Sequence, residues 1–240
     1  MNKRIGVFVP CCVDQHAAET AWNMVHLLES QGLNCEYPVE FCCCGKELYM
    51  NGDVDGARQL AERTLDLYKG YDYVVSCGSG CVAYMKRYFE TLFRETTRQG
   101  SYPRFLERLY DISDFLVNVL DYKPEGVRFP YRVAMMDHCT SLRDLGLHDQ
   151  PRQLLRAVEG LDLVEAADAA VCCGHGGFFT NLFEPVSTDL ARRKVENAME
   201  AGAQYIVSTE TSCLLHLQSY IDKHNLNIQT IHLVDILYQQ

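Results

Sequence analysis

A chain of 240 residues with a formal net charge of −10 is long enough for one large domain or two small ones, each with its own core. Its 48% hydrophobic and 22% charged residues are ordinary globular composition, and no apolar run reaches the roughly 18 residues that suggest a membrane span. The acidic balance, with no basic cluster interleaved with aromatics, argues against a nucleic-acid partner, and the basic N-terminal start lacks both a long apolar stretch and a cleavage site, so the reading is cytoplasmic.

In chain order, Ile5–Pro10 is a short apolar run, expected as a buried strand. Trp22, Met24, Val25 and Leu28 fall at helical spacing, and Gly32 supplies a stop. Asn34–Phe41 reads as extended and leads into Cys42-Cys43-Cys44-Gly45. A helix is expected over about 55–69, then a strand at Tyr71–Ser76 that ends at the Cys77-Gly78-Ser79-Gly80-Cys81 loop. Segment 103–120 reads as an extra helical region, and Pro124, Gly126 and Pro130 mark a boundary. The first half is therefore expected over 1–125 and the second over 126–240. The later elements repeat the earlier ones. They are a strand at Val133–Met136, a helix near 150–158, the Cys172-Cys173-Gly174 loop, a helix at Asp189–Ala201 and a strand at Tyr205–Ser208. Strands alternating with helices imply an α/β fold of two similar, pseudo-symmetric halves with mostly parallel sheets.

The chain holds 12 cysteines, which in a reducing compartment point to metal binding or thiol chemistry. They recur in register. Cys11 and Cys139 stand 128 residues apart, Cys43 and Cys172, like Cys44 and Cys173, 129 apart, and Cys81 and Cys213 132 apart. A glycine follows each Cys-Cys pair. Self-similarity at this period is a duplication rather than a solenoid. Cys11, Cys81, Cys139 and Cys213 each follow an expected strand, where ligands of parallel sheets gather. The candidate cofactor-binding and metal sites are thus Cys11, Cys43, Cys44 and Cys81 in the first half and Cys139, Cys172, Cys173 and Cys213 in the second. Four soft thiolates per half suit an iron–sulfur cluster.

This doubled pattern resembles the duplicated cysteine-rich CCG-domain family, which includes heterodisulfide reductase B subunits and glycolate oxidase iron–sulfur subunits. Chain length, Cys172-Cys173-Gly174 followed by Gly176-Gly177 and Phe179, and the Val234-Asp235-Ile236-Leu237 ending are similar to its short lactate-utilization form, the lactate utilization protein A family. The resemblance covers nearly the whole chain. It implies one or two [4Fe-4S] clusters and an electron-transfer role in oxidising a 2-hydroxy acid, L-lactate to pyruvate. It also implies other subunits of a hydroxy-acid oxidising complex as partners, with no direct membrane insertion. The fullest family motif ends Cys-x-x-Cys. Here Cys77 and Cys81 are separated by three residues, and Thr211 stands two before Cys213. Zinc therefore stays open as the alternative cofactor, in a non-enzymatic scaffold, and so does heterodisulfide-reductase-like thiol chemistry.

Other residues have plainer readings. Cys77 is read either as a first-half metal ligand or as a spectator thiol. Cys35 is expected to be a small buried hydrophobe, and Cys12 and Cys42 bystanders. His138 and His175 are read as hydrogen-bonded loop residues, Glu210 and Asp14 as turn or cap residues, and Arg143 as a surface residue. Gly78-Ser79-Gly80 lacks the lysine and spacing of a phosphate loop, and no dinucleotide fingerprint follows the first strand.

Overall fold

The computed structural model describes residues 3–239; Met1 and Asn2, which open the basic N-terminal start, and Gln240 lie outside them. The chain divides between Phe115 and Leu116 into two compact units. The expected boundary at 125/126 lies further on, beside the 124–126 turn.

The first unit is built on β1 (Arg4–Phe8), β2 (Asn34–Glu36), β3 (Tyr73–Ser76) and β4 (Leu109–Asp111), in the order β2-β1-β3-β4 and all parallel. Its helices are α1 (Cys11–His16), α2 (Ala18–Ser30), α3 (Lys46–Met50), α4 (Val54–Leu67), α5 (Ser79–Phe93), α6 (Tyr102–Leu106) and α7 (Ile112–Asp114). A π-helical turn over Phe115–Val119 follows. The second unit repeats the sheet with β5 (Arg132–Met135), β6 (Asp162–Val164), β7 (Tyr205–Ser208) and β8 (Gln229–His232), in the order β6-β5-β7-β8 and again all parallel. Its helices are α8 (Asp149–Arg156), α9 (Phe178–Leu182), α10 (Glu184–Glu200), α11 (Thr211–His224) and α12 (Leu233–Leu237), with a π-helical turn over Ser141–Leu145.

Ile5, Val7, Val74 and Val75 are at most 1% exposed, as strands covered on both faces must be. Leu27 and Leu28 of α2 and Ala57 and Ala61 of α4 pack inward. Asp53 starts α4 by accepting the Gly56 N–H at 2.9 Å, an N-cap. In the second unit Val133, Val195, Ala198, Ile206 and Leu217 form the corresponding core.

Four expectations are corrected. The extended segment expected over 34–41 pairs only at Asn34–Glu36, because Pro38 cannot continue a ladder. The region expected as helical at 103–120 contains β4, which covers the open side of β3 with Leu109 and Asp111 buried. Residues 79–81, read as loop, are instead the first turn of α5. Trp22, counted in the apolar face of α2, is 62% exposed. No helix among the described residues is long and apolar enough to cross a membrane.

Candidate metal centre

In each unit the central strand has neighbours reached in opposite directions along the sheet, and the crevice at its carboxyl end is where such sheets receive ligands. In the first unit Cys11 opens α1 three residues beyond β1, and Cys81 lies in the first turn of α5, just beyond β3. The loop before α3 brings Cys43 and Cys44 to them. Cys11 Sγ stands 4.0 Å from Cys43 Sγ, and the Cys44 thiol donates to Cys81 Sγ at 3.2 Å. Gly45 donates its N–H to Cys43 Sγ at 3.5 Å. Its φ of +88° is a left-handed conformation, and a Cβ there would stand 3.2 Å from the Ala57 carbonyl oxygen. Glycine is the residue that turns this loop while lying flat on α4.

Hydrogen bonding acts unequally on Cys11, Cys43 and Cys44. Cys43 is held well below the usual thiol range because the Cys11 and Cys44 thiols donate to it, against the opposing effect of burial. Cys11 and Cys44 are pushed up by the same contacts and then by burial.

The second unit repeats it. Cys172 is held low by the thiols of Cys139 and Cys173, whereas Cys173 is pushed up by Cys172, then Cys213, then burial. Cys139 is pushed up by Cys172 and burial. Gly174 donates its N–H to Cys172 Sγ at 3.4 Å. Helix α10 grips the loop that carries these sulfurs. Ser187 Oγ donates to the Gly174 carbonyl at 2.8 Å, and Asn197 Nδ2 to that of Ala167 at 3.0 Å. Lys194 Nζ donates to the carbonyls of Asp168 and, at 2.8 Å, Ala169.

Among the described residues, no three or more His, Cys, Asp or Glu side chains surround a point suited to one metal ion. The sulfurs touch one another instead. As a donor set, four thiols with no hard oxygen ligand among them, and a backbone N–H on one sulfur, fit a thiolate-held iron–sulfur cluster and also zinc.

The remaining cysteines and histidines are placed as follows. Cys77 is wholly buried at the end of β3, and Cys12 and Cys35 are half-buried on α1 and β2. Burial, helped by the charge of Glu29, pushes the Cys35 thiol up to about 12. Cys42 is buried with Sγ 3.3 Å from Thr64 Oγ1, so its sulfur ties the loop to α4. His138 Nδ1 accepts the Ser141 N–H at 3.4 Å and caps the π-helical turn. Glu210 Oε1 accepts from Ser212 Oγ at 2.7 Å. His216 escaped the sequence reading. Its Nε2 stands 3.3 Å from Ser187 Oγ, and its ring centroid 5.9 Å from that of His175. Its position one helical turn after Cys213 was the only available signal.

A family model described as the CCG cysteine-rich domain matches the chain twice, over residues 5–86 and 133–218. Lactate utilization protein A of Halalkalibacterium halodurans is 30% identical over 237 residues, covering 99% of this chain and 97% of its own. The protein of the same name from Bacillus subtilis is 28% identical over 235 residues, 98% of each chain. A solved structure of a hypothetical protein from Helicobacter pylori superposes on 99% of this chain with a TM-score of 0.71 at 10% identity, a likeness of fold alone. This chain spans 48% of that one.

Proposed function

The chain belongs to the CCG cysteine-rich-domain family, and from that premise we propose that it is an iron–sulfur redox subunit in the use of lactate, working with partner subunits that bind the substrate. The observation that carries this reading is the pair of equivalent four-sulfur sets, each at the carboxyl end of a parallel sheet, in a chain similar over nearly its whole length to lactate utilization proteins A.

Cys11, Cys43, Cys44 and Cys81 would hold one cluster and Cys139, Cys172, Cys173 and Cys213 the other. A bound cluster supplies a site that accepts and releases one electron at a time. The chain's own groups tune that site. The Gly45 and Gly174 N–H groups donate to ligand sulfurs and stabilise added negative charge there. Cys81 and Cys213 stand in the first turns of α5 and α11, where the helix dipole favours anionic sulfur. Burial of Cys44 and Cys173 keeps water from the inner ligands. Neither a nucleotide fingerprint nor a phosphate loop accompanies these sets, so hydroxy-acid binding falls to the partners.

Anaerobic purification and reconstitution followed by iron and sulfide assay and EPR tests the proposal. The expected result is about four iron per loaded set, with Cys44→Ser and Cys173→Ser each removing one set's share. Zinc in both sets without a redox signal, or under about one iron per chain after reconstitution, overturns it.

A further inference from the structure

The duplication allows one position to be compared in two chemical versions. The strand registers fix the equivalence, since Arg4 pairs with Asn34 as Arg132 pairs with Asp162, each 128 residues on. On that offset Val9, Met24 and Tyr37 hold the places of Asp137, Arg152 and Glu165. In the second unit the three charges close the space between the end of β5, the residue after β6 and helix α8. Arg152 donates to both Asp137 carboxylate oxygens, at 2.8 and 2.9 Å, and to both of Glu165, at 2.7 and 2.9 Å. Arg152 is only 2% exposed.

In the first unit nothing replaces that guanidinium. Met24 is wholly buried in the core, and a cleft of about 160 Å³ is lined by the other two matched residues, Val9 and Tyr37, with Val7, Asp14, Ala21 and Trp22 among others. Among the described residues no Lys, Arg or His lines it, and His26 lies behind Trp22, stacked on its ring. Trp22 stands at this cleft 62% exposed, although an indole gains much by burial. The Asp14 carboxylate faces the same space; after burial, its charge is what raises the Tyr37 phenol.

We propose that this cleft binds a small, uncharged aromatic ring carrying an O–H or N–H donor. The volume suits one ring, since an apolar cavity of about 150 Å³ takes up benzene. Trp22 stacks one ring face on His26 at 6.0 Å and Tyr37 one on Phe41 at 6.4 Å, which leaves each a second face for a ligand ring. The Asp14 carboxylate accepts the ligand's donor and repels anions. Hydroxy acids and phosphates are therefore excluded, which makes this a site distinct from any for the acid substrate. It stands whether or not the sulfur sets carry metal.

Trp22 is the sole tryptophan of the chain, so its emission reports on the cleft directly. The intact protein is titrated with para-fluorophenol and with its anionic analogue para-fluorobenzoate, following Trp22 emission and, in parallel, the probes' fluorine NMR linewidths. The expected result is a saturable response to the phenol and binding of the benzoate weaker by about tenfold or more. Ala21→Leu, which fills the cleft, abolishes the phenol response. Asp14→Asn, at an exposed position, narrows the difference between the two probes and decides the matter if Ala21→Leu fails to fold. No saturable response to the phenol, equal binding of the benzoate, or a difference unchanged in Asp14→Asn overturns the proposal.

Discussion

Gly174 sits under a tighter constraint than its counterpart Gly45. With φ at +92°, an added Cβ would lie 2.6 Å from the Ser187 carbonyl oxygen, against 3.2 Å from that of Ala57 for Gly45. Gly174→Ala is expected to cost about 1–3 kcal/mol, and more than Gly45→Ala, as read by urea unfolding of the two variants. Arg152 is the other residue on which local stability turns. Arg152→Met leaves Asp137 buried without its partner, at an expected cost of about 3–5 kcal/mol. Adding Asp137→Val, which restores the first unit's Val9–Met24 pairing, is expected to recover most of that loss. Glu165 supplies a pH dependence. Its hydrogen bond to Arg152 holds its carboxyl below the ordinary value of 4.5, so the stability it contributes is full above that value and is lost as pH falls through the depressed folded one. Stability curves of the native chain and Glu165→Gln are expected to differ at neutral pH and to converge on acidification.

At the scale of elements, each cysteine loop is held by the second helix after it, with different chemistry in the two units. Helix α4 uses Thr64 against Cys42 and a close backbone face against Gly45. Helix α10 uses Ser187, Lys194 and Asn197 against four loop carbonyls. Ser187→Ala removes one of these bonds and is expected to cost ~1 kcal/mol. Lys194→Met removes two and is expected to speed amide hydrogen exchange across 166–174 while leaving 40–46 unchanged, a comparison that mass spectrometry resolves in one experiment. Cys42, read as a bystander to the set, has a packing role that the sequence does not reveal. It stands beside two members of the sulfur set, yet its side chain turns to the opposite face of the loop, and alternation along an irregular segment is not predictable from spacing.

For the whole molecule, duplication makes each unit its own control. Both sheets have the same strand order, and each unit brings four sulfurs to the same crevice. Cys44→Ser is accordingly expected to halve the iron content of reconstituted protein, and Cys173→Ser to do the same, with iron assay on each variant as the check. The second unit sets an ion triad around the buried Arg152 at these positions, with Glu165 at its exposed end, whereas the first has a cleft there. Such divergence at matched positions is what a duplicated fold permits once one copy suffices for packing.

Much of this was legible in the residues. The register of Cys11 with Cys139, of the two Cys-Cys-Gly triplets and of Cys81 with Cys213 established a repeated α/β plan, because short apolar runs and glycine turns are local signals. The chemistry of the donor set followed from residue type alone. Tertiary structure decided the rest. Strand β4 is three residues long and exists only because β3 offers an open edge, and Cys81 opens a helix rather than closing a loop because Gly78-Ser79-Gly80 lies at the foot of α5. Which sulfurs hydrogen-bond one another depends on which of them meet in space. The exposed Trp22 and the buried Arg152 likewise depend on what fills one gap between strand end and helix, a long-range packing outcome that no local pattern along the chain encodes.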